Sequence, residues 1–516
     1  MTKTVVEQFK AARAAGVPLL AAETPDSDAL IERLLGVDVE SQQPAVCWDY
    51  CRGMRPLNPR GEKIVVQIVA NDPDIGGTID PTVQNPAAAV LAAGQMKPFD
   101  DDGVVVFLQM AHRFFDDVGF LQALRNVRDA LKADGRLLVL LGESMRLPLE
   151  LRGHVVVLDE PLPDDAELLA IARTVYEDNA ESMECKLDAT QLGRVAETLR
   201  GTFAFGAETL AAMSLRSHGF DHETLQIHSR RLIEETLGLS VDRGGETFDD
   251  IGGLEQAKLM GTLRFNGKRR PRLVVRIEEL EKAMAGAKGD LSGTSTDILQ
   301  ILLSEMEDNQ YSGMLAFGAA GAGKSLYAKS LANTFGVLPM RLDVNGCKQS
   351  LVGQSEANIR AAMKVIHSIG GNDVFFIASM NRMDIPAELR RRFRAGVWFF
   401  DTPDKVERGA IWGVQLSKYG LGSEDWQSID EDDMTGADIR NICELAHDLD
   451  ISLAEALEFT VLLKHSAPES IQEARRQADG RYNSASYKGR YRMDKEEAKT
   501  NAKPRRQVNL RAKGVG

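Results

Sequence analysis

The hydrophobic positions of the first 185 residues alternate between short apolar runs and amphipathic helical stretches. Continuous apolar runs at Gly103–Leu108 and Arg136–Leu141 are typical of strands buried on both faces of a parallel sheet. Between them, the apolar positions 120, 121, 124, 127 and 131 fall on one face of a helix. The pattern predicts a parallel sheet flanked by helices. The pattern of the next segment, residues 187–236, predicts helices throughout.

The second half of the chain repeats this order of patterns. A polar, glycine-rich stretch from Ser240 to Glu246 predicts a linker. A second alternating region runs to about residue 403, and a second all-helical segment covers residues 404–465. From residue 466 the chain is rich in charge and poor in aliphatic side chains, which predicts a basic, flexible tail that is disordered or loosely docked.

Composition narrows the class of protein. The 516 residues allow about three domains, with 43% hydrophobic and 27% charged residues, as in ordinary globular proteins. No apolar run approaches the ~20 residues that span a bilayer, and the N-terminus lacks the features of a secretory signal. The five cysteines are scattered and odd in number, which argues against a metal site or a disulfide framework. We therefore expect a cytoplasmic protein with no membrane segment.

Charge is unevenly distributed along the chain. The net charge is −14, and residues 467–516 contribute +7 from 13 Lys/Arg and 6 Asp/Glu, which leaves −21 for the rest. An acidic body argues against a broad nucleic-acid surface, whereas the basic tail leaves a narrower nucleic-acid contact open.

One segment has the spacing of a phosphate-binding loop. Gly318–Ser325 reads GAAGAGKS, follows the apolar run Gly313–Phe317 and opens a helix, as the G-x-x-x-x-G-K-[ST] motif requires. Small residues let backbone N–H groups surround phosphates at the positive end of a helix. Lys324 should neutralise the β- and γ-phosphates, and the Ser325 hydroxyl should bind Mg²⁺.

Such a loop also needs a metal-orienting carboxylate at the end of a neighbouring strand. The strand Asp373–Ser379, downstream of the loop, ends without acids. Upstream, the apolar run Leu273–Ile277 leads into the paired carboxylates Glu278 and Glu279. An ordinary strand running into a charged helix would look the same, so the assignment depends on what the rest of the chain resembles.

Four further segments complete a resemblance to the AAA group of the AAA+ ATPases, and within it to the chloroplast and cyanobacterial reading-frame AAA proteins. They are Phe248–Leu254 (FDDIGGL), Leu338–Arg360, Ile377–Phe393 and Thr435–Asp438 (TGAD). They resemble, in turn, the family's adenine-side segment, the pore-loop region, the second region of homology and the sensor-2 turn of the lid. The resemblance implies an α/β fold, a P-loop AAA+ parallel sheet with a helical lid, preceded by a degenerate AAA-like α/β domain with its own helical segment.

The resemblance also implies the residues of an ATP and Mg²⁺ site. Those that would contact ATP are Ile251, Gly252, Gly318, Ala319, Ala320, Gly321, Ala322, Gly323, Lys324, Ser325, Leu326, Gly436 and Ala437. Ser325 and Glu278 would bind the metal, and Glu279 would act as the general base. Asn381 would hold the attacking water, while Arg392 or Arg394 would reach the γ-phosphate in a neighbouring subunit.

The sequence departs from the family pattern at four places. The Walker B-like strand precedes the Walker A loop, which we interpret as an internal permutation that keeps the site intact in space. The resemblance then implies that Leu273–Ile277 lies in the sheet between Val374–Ser379 and Pro339–Asp343. Glu278 replaces the usual Asp. Leu351 stands where the pore loop usually has an aromatic residue, and the segment LRRRFRAG aligns with the Arg-finger segment in two ways.

The first half lacks the phosphate-binding chemistry. After its first predicted strand, Val17–Ala22, the chain reads ETPDSD, with no glycine or lysine and three acids that repel phosphate. Its Walker B-like strand ends in Gln109 and Met110. If this region has an AAA fold, we expect packing, assembly or partner docking as its role.

These interpretations predict a domain plan and a function. The expected divisions are a degenerate AAA-like domain (1–186), a lid-like helical segment (187–239), a permuted ATPase domain (248–403), a helical lid (404–465) and a basic tail (466–516). The expected function is ATP hydrolysis by a ring or helical oligomer, commonly a homohexamer, that remodels a protein substrate or works with an adaptor. A nucleic-acid-associated motor and an ATP-gated scaffold with slow hydrolysis remain alternatives.

Overall fold

The computed structural model describes residues 5–24, 26–36, 43–70, 82–97, 103–143, 145–159, 161–180, 183, 187–282, 294–347, 354–383, 387–422 and 426–493. The chain divides into two compact units, residues 1–226 and 227–516. Both have mixed α/β structure with mainly parallel sheets, so the predicted fold class is confirmed.

The first unit is built on a six-stranded sheet. Its strands are β1 Leu19–Glu23, β2 Ala45–Asp49, β3 Gly53–Pro56, β4 Val105–Leu108, β5 Leu137–Gly142 and β6 Val156–Asp159, and a two-stranded hairpin follows at β7 Leu215–Arg216 and β8 Gly219–Phe220. The order across the sheet is β3-β2-β4-β5-β1-β6, and only the β2–β3 pair is antiparallel. The continuous apolar runs are therefore the central strands, as their composition predicts.

Eight helices lie in the described part of this unit, and a ninth, α9, crosses the boundary to the second unit. They are α1 Val5–Ala14, α2 Ser27–Gly36, α3 Pro59–Ala70, α4 Pro86–Gln95, α5 Val118–Ala133, α6 Asp165–Asp178, α7 Ala189–Leu199, α8 Ala204–Ser214 and α9 His222–Glu235. Helix α5 begins where the Asp117 carboxylate accepts a hydrogen bond from the Phe120 N–H, and it buries Phe120, Leu124 and Leu131 against the sheet. Helices α7 and α8 pack against α6.

The second unit is built on a seven-stranded sheet. Its strands are β9 Leu239–Val241, β10 Leu273–Ile277, β11 Ser312–Gly318, β12 Leu338–Leu342, β13 Val374–Met380, β14 Val397–Phe400 and β15 Asn483–Ser484. The order across the sheet is β15-β14-β11-β13-β10-β12-β9. Strand β10 thus lies between β13 and β12, and β13 pairs with β11, all in parallel. This order confirms the position that the motif interpretation predicts for Leu273–Ile277.

The helices of this unit cover the sheet and form a lid. They are α10 Glu255–Phe265, α11 Thr294–Asp308, α12 Lys324–Thr334, α13 Gln354–Gly370, α14 Ala387–Arg392, α15 Lys405–Tyr419, α16 Gly436–Leu449, α17 Leu453–Glu458, α18 Leu463–Ser466 and α19 Pro468–Ala478. Helices α15 to α17 share a core around Trp412 and Ile439. Within it, the buried Arg408 guanidinium donates to Asp430 at 2.9 Å.

The stretch interpreted as a linker contributes directly to the second sheet. Leu239 and Val241 are buried, and β9 pairs antiparallel with β12. The Asp242 carboxylate accepts hydrogen bonds of 2.5 and 2.6 Å from Arg276 in β10. The linker interpretation is therefore wrong for residues 240–242, because a three-residue edge strand is too short to show an alternating pattern beside so many glycines.

The expectation of a flexible tail from residue 466 is also wrong over the described residues 467–493. Strand β15 pairs with β14, and Tyr491 packs on Phe399 with ring centroids 4.4 Å apart. The carbonyl of Ala485 accepts from the N–H groups of Gln256 and Ala257 at the start of α10. A charge-rich composition concealed a segment that buries a few apolar side chains, among them Ile471, Ala474 and Ala478, between its charged residues.

One arginine in this segment joins the sheet to the lid. Arg475 in α19 donates to Asp401, at the end of β14, over 2.8 Å, and to Asp433, just before α16, over 2.5 Å. It also donates to Thr402, and the Tyr491 hydroxyl donates to the second oxygen of Asp401 at 2.8 Å. We refer to Arg475, Asp401, Thr402, Asp433 and Tyr491 as the hinge cluster.

Candidate functional site

The loop 318–323 connects β11 to the first turn of α12. Gly321 and Gly323 have φ of 74° and 85°, a region that side chains with a Cβ rarely adopt. A Cβ at Gly321 would lie 2.7 Å from the Thr435 Oγ and 2.9 Å from the Ala437 Cβ. The glycines are therefore required both for the loop conformation and for the close approach of the lid.

Lys324 is held inside this loop. Its side chain is 8% exposed, and its ammonium donates to the carbonyl oxygens of Gly318 and Ala319 and to Asn381 Oδ1, at 2.6–3.0 Å. Burial lowers the pKa of Lys324 to about 8, and the negative charges of Glu281 and Glu279 oppose this shift. The lysine and the candidate sensor Asn381 are thus in direct contact.

The first of the paired carboxylates, Glu278, is bound by two arginines. It forms ion pairs with Arg276 and, at 3.2 Å, with Arg341 in β12. Arg276 is 7% exposed and shared with Asp242. A charged residue inside the otherwise apolar run LVVRI was the sequence signal for this network, because a buried guanidinium requires acidic partners.

The second carboxylate, Glu279, has a different environment. Its backbone lies in the left-handed region with φ of 50°, and its N–H donates to the Ser379 hydroxyl at 3.3 Å. Its side chain is 43% exposed and forms a 2.7 Å ion pair with Lys282. A non-glycine residue in this conformation is strained, and such strain is concentrated at functional sites.

A third acid of the same run, Glu281, was missed by the sequence analysis. Its Oε1 accepts a hydrogen bond from the Asn381 backbone N–H at 3.0 Å. Glu281 therefore positions the residue that Lys324 contacts. Burial lowers the pKa of Lys324, and the negative charge of Glu281 opposes this shift more strongly than that of Glu279. The run EELE carried the signal, but spacing alone did not show which of its acids would turn towards the loop.

These residues surround a cavity of about 720 Å³ between the sheet and the lid. The expected site residues that line it are Ile251, Gly252, Glu278, Glu279, Ala320, Gly321, Ala322, Gly323, Lys324, Ser325, Leu326, Asn381, Gly436 and Ala437. Gly318 and Ala319 are not among the lining residues, although their carbonyl oxygens hold Lys324. Residues that sequence analysis did not select also line it, including Arg341, Arg440 and Gln415.

The lid and the 248–254 segment close one side of the cavity. A Cβ at Gly252 would lie 2.5 Å from the Ile411 backbone nitrogen, so only glycine allows α15 to approach so closely. The Glu407 carboxylate accepts the Leu254 N–H at 3.1 Å. At the other end of the lid, Thr435 and Asp438 cap α16 reciprocally, and this places Gly436 and Ala437 against the loop.

The candidate Arg fingers lie outside the lining of this cavity. Arg392, at the end of α14, forms an ion pair with Glu307 of α11. Arg394 is exposed. The pore-loop position Leu351 lies outside the described residues.

The arrangement fits a nucleotide better than a metal ion alone. The glycine loop, the buried lysine and the helix start suit phosphates. In the part of the chain that the structure describes, no three His, Cys, Asp or Glu side chains converge as a metal site. Mg²⁺ would need ligands from Ser325, Glu278 and the nucleotide itself, and Glu278 is already paired with two arginines.

Comparison with known proteins gives two matching families. The family model described as "SpoVK-like AAA ATPase, N-terminal domain" matches residues 5–160, and the one described as "ATPase family associated with various cellular activities (AAA)" matches residues 314–384. No helix of the described ranges is long and apolar enough to span a bilayer.

Several similar proteins carry the same description, "Uncharacterized AAA domain-containing protein ycf46". The one from Guillardia theta is 26% identical over 411 residues, covering 69% of this chain and 73% of the relative. Those from Gracilaria tenuistipitata var. liui and Pyropia yezoensis are 23% and 21% identical, covering 66% and 61% of this chain and 71% and 66% of the relatives. The chain therefore carries AAA ATPase domains and is homologous to the ycf46 AAA proteins of plastids.

Proposed function

We propose that this protein hydrolyses ATP and, as a ring or helical oligomer, uses the energy to remodel a protein substrate. The observation that supports it best is the convergence of the glycine loop, Lys324, the acids at the end of β10, Asn381 and the lid on one cavity. A phosphate-binding loop, candidate acids and a lid that lies against the loop are the parts that phosphoryl transfer to water requires.

In this proposal the residues have the following roles. The loop N–H groups and Lys324 bind the phosphates, and Glu279 takes a proton from the attacking water, which Asn381 helps to orient. Ser325 and Glu278 would hold Mg²⁺, which would neutralise charge that develops on the phosphate oxygens. The strained backbone of Glu279 and its contact with Ser379 keep this carboxylate beside β13.

The motif order is part of the same proposal. We interpret β10 with Glu278 and Glu279 as a Walker B element that precedes its Walker A loop in the chain, over an ATPase domain of residues 248–403 and a lid of 404–465. The parallel position of β10 between β12 and β13 supports this interpretation. It brings the acids to the same sheet edge as the loop, whichever strand comes first in the sequence.

Assembly is proposed from the arginines. A guanidinium that completes the site of a neighbouring subunit must be available at the surface, and Arg394 is exposed. Arg392 would have to exchange Glu307 for phosphate on assembly. A homohexamer is the arrangement that we expect, with the first unit available to bind a protein partner.

A reducing, cytoplasmic location is also proposed. The described cysteines Cys47, Cys51, Cys347 and Cys443 are all free thiols, as expected where disulfides do not persist.

Glu279→Gln tests the catalytic part of the proposal. We expect ATP to bind with near wild-type affinity and phosphate release to fall at least 100-fold, because the amide cannot accept the proton. Glu458→Gln is a control that removes an exposed acid outside the cavity lining. Wild-type turnover in Glu279→Gln would show that the general base has been assigned to the wrong residue.

A second candidate is an ATP-gated scaffold with slow hydrolysis. The observation in its favour is that Glu278 is already neutralised by Arg276 and Arg341, which weakens it as a metal ligand. The same experiment separates the two candidates. Tight ATP binding with no measurable phosphate release in the wild-type oligomer would favour the scaffold.

A further inference from the structure

The two arginines that hold Glu278 differ in how far their hydrogen-bonding capacity is used. Arg276 donates to both oxygens of Asp242 through Nε and one terminal nitrogen, and to Glu278 Oε1 through the other. Arg341 Nε lies 3.2 Å from Glu278 Oε2, but it is buried and donates no hydrogen bond to the described residues. Because buried N–H groups almost always have an acceptor, Arg341 is the arginine with an incomplete set of partners.

The register of the sheet explains why both arginines share this acid. Arg276 in β10 and Arg341 in β12 are partners in the parallel ladder, so their side chains lie next to each other on one face of the sheet. Two adjacent guanidinium groups repel each other unless acids lie between them. Arg276 is 7% exposed, whereas the Arg341 side chain is 41% exposed. Arg276 is therefore fixed within the sheet, and Arg341 has room to change its partner.

The position of Arg341 in the cavity shows what that partner would be. Among the described residues, three cationic side chains line the cavity, and they are Lys324, Arg341 and Arg440. Lys324 belongs to the glycine loop, and Arg440 lies on the lid helix α16, where it donates to its neighbour Asn441. Arg341 is the cation on the β12 side, next to the strand that ends in Glu279. The proposed function places the attacking water between Glu279 and the last phosphate, so that phosphate lies towards Arg341.

We propose that Arg341 contacts the terminal phosphate of the nucleotide bound in its own subunit, and that it exchanges Glu278 for this phosphate when the nucleotide binds. The inference rests on the proposed ATP site and deepens it by adding a phosphate-binding residue from β12. A guanidinium can donate two parallel hydrogen bonds to a phosphate, whereas its Nε donates none to Glu278. The exchange also leaves Glu278 held through Oε1 by Arg276 and free at Oε2, which suits its proposed role towards Mg²⁺.

The test compares a nucleotide that has the terminal phosphate with one that lacks it. Full-length wild type and Arg341→Met are titrated by calorimetry, in the presence of Mg²⁺, with the β,γ-imido analogue of ATP, which is not hydrolysed, and with ADP. We expect Arg341→Met to bind the analogue at least about tenfold more weakly, because it loses hydrogen bonds to a charged group. Its affinity for ADP should stay within about threefold of wild type.

Arg269→Met is the matched control for the loss of an arginine in the same unit. Arg269 is exposed, pairs with Asp373 at the opposite end of the sheet, and lies outside the cavity lining. Its substitution should leave the affinities for both nucleotides unchanged. An equal loss of analogue binding in Arg269→Met and Arg341→Met would show an effect of net charge alone and would overturn the proposal.

A double-mutant cycle separates direct contact from an effect through Glu278. Removing Arg341 also leaves the negative charge of Glu278 less compensated, and that charge would itself repel a phosphate. Glu278→Gln lacks this charge, so we expect Arg341→Met to weaken analogue binding about tenfold in the Glu278→Gln background as well. Loss of the effect in that background would show that Arg341 acts only by neutralising Glu278, contrary to the proposal.

The ADP titrations give a second way to overturn the inference. If Arg341→Met loses affinity for ADP as much as for the analogue, Arg341 does not recognise the terminal phosphate. Folding of the variant is checked by thermal unfolding. Should Arg341→Met fail to fold, Arg341→Gln keeps a polar side chain at the same position, and the same pair of titrations decides the question.

Failure of this inference can be distinguished from failure of the proposed function. If wild type binds the analogue in a Lys324-dependent manner and Arg341→Met binds it equally well, only the role of Arg341 is wrong. If wild type binds neither nucleotide, the ATP site itself is wrong.

Discussion

Each of the two sheets of this protein contains a row of five parallel strands. The sheets differ in the order in which the chain forms the strands of that row. In the first unit the order is β2-β4-β5-β1-β6, and in the second it is β12-β10-β13-β11-β14. Position by position, β4 corresponds to β10, but β4 comes third of these strands in the chain and β10 comes first. The comparison teaches that formation of a parallel sheet requires buried apolar strands, whereas the order in which the chain connects them can differ.

The two sheets differ most at the carboxyl ends of their strands. In the second unit, β11 leads into the glycine loop and Lys324. In the first unit, β1 leads into Thr24 and Asp26. The Thr24 hydroxyl forms hydrogen bonds with the backbone of Asp26, and the Asp26 carboxylate accepts one from the Ala29 N–H at the start of α2. Asp28 there accepts from Gln109 at 2.7 Å and pairs with Arg55. Residues that would receive phosphate in one unit are replaced in the other by acids with internal partners.

The largest expected effect tests whether only one of these edges binds nucleotide. Lys324→Ala should weaken ATP binding of the whole protein by at least about 100-fold, because the second unit loses the cation of its glycine loop. In the first unit the corresponding strand leads into Thr24 and Asp26, which cannot replace that cation. Lys329→Ala, in the same helix but outside the cavity lining, is the control. Residual tight binding in Lys324→Ala, measured by fluorescent-nucleotide titration, would break the comparison by showing a second site.

The next effect concerns the hinge cluster, which the first unit lacks among its described residues. Arg475→Ala leaves Asp401 and Asp433 without their shared cation, and we expect a loss of about 2 kcal/mol in the second unit. Hydrogen exchange resolved by peptide should show faster exchange in β14 and α16 and no change in β1 or β5. The neighbouring Arg476→Ala, which breaks only an exposed pair with Glu473, should leave both units unchanged.

Equal destabilisation of both units by Arg475→Ala would show that the C-terminal segment does not act locally. No change in either unit would mean that the hinge cluster contributes little to stability.

The smallest effect is a pH dependence that belongs to the second unit alone. Lys324 has a pKa lowered to about 8 by burial, and phosphates favour its protonated form, so binding raises this pKa. ATP affinity should therefore be constant below about pH 8 and fall above it by up to about tenfold per pH unit. Lys324→Arg, whose guanidinium stays charged, should show no such slope between pH 7.5 and 9.5. An equal slope in both proteins would assign the titration to another group.

Much of the architecture was accessible from the pattern of residues. The central strands of both sheets are short apolar runs bounded by polar turns, and this signal is local because each strand is buried on both faces. The resemblance to AAA folds also predicted the place of β10 between β12 and β13, because in those folds the Walker B strand lies between the strand that leads to the pore loop and the sensor-1 strand.

Other features depended on which segments the fold brings together. The sequence alone determined two α/β sheets, a glycine loop followed by a lysine in the second, and acids in place of that loop in the first. Only the tertiary structure showed that Arg341 binds Glu278 and that Glu281 positions Asn381. It also showed that Arg475 joins residues 74 and 42 positions away, although its own segment reads as a solvated tail. The reason is physical: burial of apolar strands follows from neighbouring residues, whereas the partner of a charge or an amide depends on distant segments that the chain pattern does not relate.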